Sequence, residues 1–178
     1  MNFQEIKLKF RMGILTLRNR FGKIKSSLVI NSGVINAGSI LIFLPQEDNA
    51  CRIAAYSFRN IQQIETEGID YQICVLNDQI PIVEGVLSNI TPYTLDGKSG
   101  KVILSENQLI TKKFGMILDL NPEFNLGISE CIETIQADYK IGFQSKLSDV
   151  FYNIQIGRNE SAFLESDYKR FKAILNLP

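Results

Sequence analysis

Residues 70–87 contain two short apolar runs that are separated by Asn77 and Asp78. Asn and Asp tolerate the positive φ angles that a tight turn requires, so this pattern predicts a β-hairpin. Apolar residues alternate with other residues within the runs, which predicts that one face of each strand packs on a core. Because Pro81 has no backbone N–H to donate, the second strand is expected at the edge of its sheet.

The same pattern of short runs continues on both sides of this hairpin. Residues 6–12 alternate between apolar and basic side chains, which predicts a half-buried strand, and the apolar residues 40–44 predict a strand covered on both faces. Residues 51–58 and 128–143 are also predicted as strands, because apolar residues alternate in each. Residues 59–68 favour a short helix or an extended turn.

The C-terminal segment has a helical period instead. Apolar residues recur there at intervals of four, three and four, namely Leu164, Tyr168, Phe171 and Leu175. This spacing is typical of an amphipathic helix. Ser166 is predicted as its N-terminal cap, with Asp167 in the first turn and Pro178 beyond the end.

These elements together predict a mainly β fold. About ten short strands followed by one helix are typical of an antiparallel barrel or sandwich whose flank is covered by the C-terminal amphipathic helix. The 178 residues, of which 45% are hydrophobic, are enough for a single β-rich domain over 1–178. The alternative is two small β units, 1–97 and 98–178, that share a core.

Composition narrows the chemistry more than any motif does. The chain contains no histidine, so it cannot form an imidazole-based catalytic triad or a histidine zinc site from its own residues. Its three cysteines, Cys51, Cys74 and Cys131, lack the short spacing of a metal site, and an odd number does not suit a disulfide framework. The sequence therefore predicts no metal site and no cofactor.

Two further features predict a cytoplasmic location. The first ten residues lack the apolar stretch of a signal peptide, and no apolar run approaches the 18 residues of a membrane-spanning helix. The predicted protein therefore has no membrane span.

Charge is distributed unevenly although the net charge is zero. Residues 1–30 carry one acid and seven bases, which are Lys7, Lys9, Arg11, Arg18, Arg20, Lys23 and Lys25. Residues 31–97 carry eight acids and two bases. These seven bases, called the basic arm below, are predicted to contact a partner protein or a polyanion, or the acidic middle of this chain or of a second copy.

Two local patterns suggest chemistry but have simpler explanations. Residues 97–99 read Gly-Lys-Ser as in a phosphate-binding loop, but Pro92 stands where the first glycine of that motif belongs, so a hairpin turn is predicted here. The acid pairs Glu65/Glu67 and Glu130/Glu133 are predicted to be solvated charges, because neither pair shows a perturbing neighbour. No catalytic residue is predicted.

The functional prediction that follows is a non-catalytic interaction or assembly module. In this hypothesis the chain is a structural subunit of a larger complex, formed by self-assembly or with other protein subunits, and it is not an enzyme. One alternative is a polyanion-binding module that holds single-stranded nucleic acid with the basic arm. The other is a small-ligand-binding barrel or a histidine-free enzyme.

Overall fold

The fold is described from a computed structural model that covers residues 38–106, 108–158 and 163–177. The strands, in chain order, are β1 (Ser39–Phe43), β2 (Asp70–Leu76), β3 (Ile90–Leu95), β4 (Val102–Leu104), β5 (Phe114–Asp119), β6 (Ala137–Phe143) and β7 (Ile154–Ile156). The α-helices are α1 (Asp48–Ser57), α2 (Ile80–Val83), α3 (Gln108–Thr111), α4 (Leu126–Thr134) and α5 (Leu164–Ile174). Three 3₁₀ segments also occur in these ranges, Ile61–Glu67, Asn77–Gln79 and Ser148–Val150.

Within the described residues, all seven strands form one sheet in the order β4-β3-β2-β1-β5-β6-β7. Six of the strands run parallel, and β4 pairs antiparallel with β3. From β1 the chain moves outward through β2 to β3, and it then returns to β5 on the other side of β1 and moves outward again. This is the strand order of a doubly wound α/β fold, in which the direction of winding reverses between β1 and β5.

The helices cover both faces of the sheet. On one face, Ile40 and Ile42 of β1 pack in a core with α1 and α5. On the other face, Leu41 and Phe43 pack in a second core with α4. Because β1 lies between two apolar layers, almost every one of its side chains is buried, and this confirms the prediction for residues 40–44.

The prediction of an antiparallel barrel or sandwich is wrong, because the described chain forms a mostly parallel α/β sheet. The error began with the segments between strands. Parallel neighbours need crossover connections, and here the crossovers are helices whose sequences were interpreted as further strands. With those segments assigned correctly, strand and helix alternate along the chain, which is typical of an α/β fold.

The hairpin over residues 70–87 is only half present. Its first run is β2, as predicted, but the chain continues into a 3₁₀ turn at Asn77–Gln79 and then into α2. Pro81 lies in the first turn of α2, where its missing N–H would have had no partner within the helix. The turn chemistry at Asn77 was recognised, but it begins a helical segment and does not return the chain to an edge strand.

Two other predicted strands are helices. Residues 51–58 lie mostly in α1, where Glu47 caps the first turn by accepting hydrogen bonds from Asn49 N and Ala50 N. Residues 128–134 lie in α4, and only residues 137–143 form the strand β6. In both helices the alternation was accidental, and the buried positions follow a helical spacing.

Three local predictions are confirmed. Residues 61–67 form a short 3₁₀ helix, and the C-terminal amphipathic helix exists as α5 with Tyr168 and Phe171 buried. Residues 96–100 form the turn between the antiparallel strands β3 and β4, where Asp96 accepts hydrogen bonds from Lys98 N and Ser99 N. Ser166 is not the cap of α5, because that helix begins at Leu164.

The predictions for the basic arm and for the strand at residues 6–12 are not tested, because these residues lie outside the described ranges. The division into one domain, 1–178, or two units, 1–97 and 98–178, also stays a prediction, because residues 1–37 are not described. Among the helices of the described ranges, none has both the length and the apolar character needed to cross a bilayer.

Candidate functional site at the carboxyl edge of the sheet

The winding of the sheet reverses between β1 and β5, so the loops that follow these two strands leave toward opposite faces. In open parallel sheets this arrangement opens a crevice at the carboxyl ends of the strands, where ligands bind. Phe43 and Asp119, the last residues of β1 and β5, are paired in register at this point. The polar side chains that follow them are therefore the first place to look for a functional site.

Asp119 is an almost completely buried carboxylate at this edge, with 3% of its surface exposed. Its Oδ1 accepts hydrogen bonds from the backbone N of Asn121 at 3.0 Å and from Asn121 Nδ2 at 2.6 Å. Its Oδ2 accepts a hydrogen bond from the Tyr152 hydroxyl at 2.5 Å. The bond to the backbone two residues later is the turn that Asp favours at the end of a strand.

Burial raises the pKa of Asp119 above its ordinary value, although the hydrogen bonds from Tyr152 and Asn121 oppose this rise. Burial also raises the pKa of Tyr152, and the nearby Asp119 charge raises it further, so the hydroxyl keeps its proton. A carboxylate whose pKa is raised in a cleft is a typical acid or base of an active site.

The hydrogen-bonded chain continues from Tyr152 into α4. The Tyr152 and Ser129 hydroxyls are 2.8 Å apart, and because Tyr152 donates its one proton to Asp119, Ser129 Oγ can donate its own proton either to Tyr152 or to the carbonyl of Asn125 at 2.8 Å. Asn125 is the N-terminal cap of α4, and its Oδ1 accepts a hydrogen bond from Ile128 N at 3.1 Å. Tyr152 and Ser129 thus lie between Asp119 and the start of α4.

A pocket of about 180 Å³ opens beside Asp119 and is called the carboxyl-edge pocket below. Its lining comes from the loops after β5, β6 and β7 and includes Asn121, Gln144, Tyr152 and Arg158. Arg158 Nη1 contacts Glu123 Oε1 at 2.7 Å and the Pro122 carbonyl at 3.3 Å. The pocket therefore combines a buried carboxylate, amide groups and one guanidinium group.

Gly142 gives the Tyr152 ring its place against β6. A Cβ atom at this position would lie 2.7 Å from a carbon of that ring, which is closer than any ordinary contact. A side chain here would move Tyr152 away from Asp119. The hydroxyl that bonds Asp119 therefore depends on a glycine in the middle of a strand.

A second group of polar side chains lies at the end of β1. Gln46 N donates to Asn121 Oδ1 at 3.0 Å, and Gln46 Oε1 accepts from Asn125 Nδ2 at 2.5 Å. Within the described part of the chain, Gln46 Nε2 and the Tyr93 hydroxyl are buried without a well-formed hydrogen bond. The Gln46 amide still lies close enough to Tyr93 to oppose the rise in its pKa that burial causes.

Comparison with known proteins places this geometry in a wider context. No family model matches the sequence, and no curated protein matches it. The fold is nevertheless similar to that of the heptosyltransferase WaaC of E. coli, in a structure with ADP, with a TM-score of 0.54 and 14% identity over 79% of this chain. A second WaaC structure, with ADP-2-deoxy-2-fluoro heptose, gives a TM-score of 0.53. The match covers 48% and 49% of those chains, so this chain spans about half their length.

This likeness shows that the α/β fold of this chain is shared with about half of a glycosyltransferase, and it overturns two predictions from the sequence. The chain was predicted to be a non-catalytic structural module and not an enzyme. Both predictions are contradicted by this likeness, because the solved protein that shares the fold is an enzyme. At 14% identity the likeness establishes the fold alone.

The residues singled out in the sequence do not form this site. The basic arm is outside the described residues, and the turn at residues 96–100 uses two of its own backbone N–H groups to bond Asp96. Among the described residues no group of three or more His, Cys, Asp or Glu side chains could hold a metal ion. The three cysteines of that part are not paired in disulfides.

Asp119 and Asn121 were missed, although a signal was present. They follow the apolar residues 116–118 and precede Pro122, which is the pattern of a buried strand that ends in a polar loop. Once this strand is recognised as parallel, the polar residues after it are expected at the carboxyl edge. The prediction of antiparallel strands removed that expectation.

Proposed function

We propose that this chain is a glycosyltransferase-type domain that binds a nucleotide sugar at the carboxyl edge of its sheet. The observation that carries the proposal is the buried Asp119 in a pocket next to the switch point, in a fold shared with WaaC. WaaC is described in its structures with ADP and with a fluorinated ADP-heptose, which suggests a ligand of the same chemical class here.

The lining of the carboxyl-edge pocket suits the parts of such a ligand. Arg158 presents a guanidinium group whose Nη1 bonds Glu123 and whose Nε lies 3.8 Å from Asp167 Oδ2, and its remaining N–H groups can donate to a phosphate oxygen. Asn121 and Gln144 offer amide groups that suit sugar hydroxyls. The pocket volume of about 180 Å³ is below the 300–1,000 Å³ that is typical of complete ligand sites, so it would enclose one sugar or phosphate group and leave the rest outside.

Asp119 is the candidate base for transfer. In glycosyl transfer the bond between the sugar carbon and the phosphate oxygen breaks, and the acceptor oxygen forms a new bond to that carbon. The proton of the acceptor hydroxyl passes to a base, and the nucleoside diphosphate leaves. In a chain without histidine, a carboxylate with a raised pKa is a suitable base at neutral pH.

The finer predictions from the sequence stay proposals beside this one. A cytoplasmic location suits a domain that uses soluble nucleotide sugars. Contact of the basic arm with a partner protein or a polyanion stays a proposal, because the arm lies outside the described residues. This chain spans about half of WaaC. We therefore propose that the complete reaction also requires a second protein surface on the other side of the cleft.

A tryptophan reporter tests the proposal directly, because the chain contains no tryptophan. Phe124 lines the pocket, so the variant Phe124→Trp places one fluorophore there. We expect ADP and ADP-sugars to change its emission with saturation in the micromolar to millimolar range. Adding Arg158→Gln to the reporter should weaken this binding about tenfold or more, because a charged hydrogen bond is lost.

Lys113→Gln is the matched control, since Lys113 pairs with Asp138 on an exposed surface at the amino end of β5. This variant removes one positive charge at a position outside the pocket, so it should leave the affinity for the nucleotide unchanged. Enzymes typically bind their substrates with KM values between about 1 μM and 1 mM. The absence of any change in emission with nucleoside diphosphates up to about 10 mM would therefore refute the proposal. Equal weakening by Arg158→Gln and Lys113→Gln would refute the role of Arg158.

A further inference from the structure

A second cavity lies on the outer surface, between helices α1 and α5. It measures about 420 Å³ and is called the α1–α5 groove below. None of the residues that line it also lines the carboxyl-edge pocket. Its volume lies within the range of small-molecule sites, whereas the carboxyl-edge pocket is smaller than that range.

The groove is strongly basic. Its charged lining residues are Arg52, Arg59, Lys169, Lys172 and one acid, Glu165. Glu165, Lys169 and Lys172 lie four and three residues apart and so share one face of α5. Arg52 and Tyr56 share one face of α1, and Arg59 follows where that helix ends. The two helices thus bring cations from separate parts of the sequence to the same cavity.

These four cations keep their charge available for a ligand. In the described ranges the ion pairs involve other bases, namely Lys112, Lys113, Arg158 and Arg170. None of the four groove cations is paired with a carboxylate of those ranges. Four like charges around one cavity repel each other, and an anion placed between them would relieve this repulsion.

We propose that the α1–α5 groove binds a small phosphorylated molecule, at a site separate from the carboxyl-edge pocket. Arg52 and Arg59 can each donate two hydrogen bonds to phosphate oxygens, and Lys169 and Lys172 add positive charge. Tyr56 lines the same cavity and is 55% exposed, so its ring is available to stack on a planar group such as a base. This site does not depend on the proposed transferase activity.

The experiment uses Tyr56→Trp, which places the only tryptophan of the chain in the groove. The variant is titrated with inorganic pyrophosphate and with ADP, while sodium chloride keeps the ionic strength constant. We expect saturable changes in emission with both. Equal affinities would assign the binding to phosphate alone, and a tighter fit for ADP would add stacking of the base on residue 56.

Charge variants then locate the site. Adding Arg52→Gln or Lys169→Gln should weaken pyrophosphate binding at least fivefold, whereas adding Arg158→Gln should leave it unchanged. Calorimetry with the unaltered chain and with its Arg52→Gln variant measures the same loss without a reporter, in case the tryptophan disturbs folding. The proposal would be overturned if pyrophosphate bound with a Kd above 10 mM and an acidic peptide displaced it. That result would assign the groove to a protein partner.

Two other results would also overturn it. One is the absence of any saturable response to pyrophosphate and ADP. The other is a response that sodium chloride reproduces at equal ionic strength, because simple screening does not require a site. Failure of the carboxyl-edge pocket to bind ADP in the Phe124→Trp experiment would leave these outcomes unaffected, so the two proposals can fail separately.

Discussion

Replacing Asp119 with Asn should stabilise the folded chain at neutral pH. Asp119 is buried, and burial raises its pKa above the ordinary value of 3.8. The asparagine has the same shape, and its Oδ1 can accept the two hydrogen bonds that Asn121 donates. Its Nδ2 can donate to the Tyr152 hydroxyl, which in turn can donate to Ser129. The variant therefore keeps these hydrogen bonds and removes a group whose charged form is destabilised by burial.

The raised pKa of Asp119 also determines how the difference in stability between the variant and the unaltered chain changes with pH. For a carboxyl group whose pKa is higher in the folded than in the unfolded chain, the stabilising contribution is complete below the unfolded value and is lost as the pH rises through the folded value. The asparagine has no such loss. Each unit by which folding raises the pKa is worth about 1.4 kcal/mol. In a chain of this size, 1 kcal/mol corresponds to a change in Tm of roughly 2–4 °C.

Thermal unfolding followed by circular dichroism at pH 5, 6, 7 and 8 measures the effect. We expect the Tm of Asp119→Asn to exceed that of the unaltered chain, by a margin that grows as the pH rises. Asp138→Asn is the control, because Asp138 is exposed and pairs with Lys113 at 2.7 Å. It should change stability by less than about 1 kcal/mol. A loss of more than about 1 kcal/mol in Asp119→Asn at pH 7, or a margin independent of pH, would refute the reasoning.

Three further predictions concern other buried or closely packed positions of the fold. Gly142→Ala should destabilise the fold by about 1–3 kcal/mol, as measured by urea unfolding, because its Cβ would lie 2.7 Å from the Tyr152 ring; an unchanged midpoint would contradict this. Gly127→Ala should also destabilise by about 1–3 kcal/mol, although alanine favours helices, because its Cβ would lie 2.3 Å from the Gly100 carbonyl oxygen. Burial raises the pKa of the Cys51 thiol to about 11, so at pH 8 this thiol should react with a thiol reagent only as fast as the chain opens. A reaction rate equal to the rate in denaturant would contradict this prediction.

The sequence predicted those elements whose local pattern has one interpretation. Residues 40–44 are all apolar, and a run of that length between polar residues predicts a doubly covered strand whatever its neighbours are. The C-terminal helix was predicted for the same reason, because its apolar residues recur at helical spacing over three turns. In β1 the buried residues are those that the pattern marked. In α5 the marked residues Tyr168, Phe171 and Leu175 are buried and Leu164 is half-buried, but Asp167 is also buried although the pattern did not mark it.

The helices α1 and α4 were missed because their sequences satisfy two patterns at once. In α1 the buried residues are Ala50, Cys51, Ala54 and Ala55, and they follow a helical spacing. Because alanine and cysteine are small and only weakly apolar, their helical spacing is a weaker signal in the sequence than the alternation around Ile53. In α4 the residues Ile128 and Ile132 fit alternation and a helix equally well. Only the parallel pairing of the strands on either side decides between the two interpretations.

The site could not be predicted without the order of the strands. Asp119 is one acid among 19 in the sequence, and the apolar residues 116–118 before it mark the end of a strand but not the side chains that surround its carboxyl group. Its environment is made by Tyr152, which is distant in sequence, and by the pairing of β5 with β1. A function that depends on residues brought together by topology becomes visible only once that topology is known.

The identity of residue 119 is itself an argument for a functional site. An asparagine would fill the same space and bond the same partners, so stability alone gives no reason for a carboxylate here. A buried charge that lowers stability is expected where its chemistry is used, because active sites often lose stability in exchange for activity. The variant Asp119→Asn should therefore gain stability and lose the proposed transfer reaction. Gain of stability with unchanged transfer would leave the carboxylate without a role in the reaction.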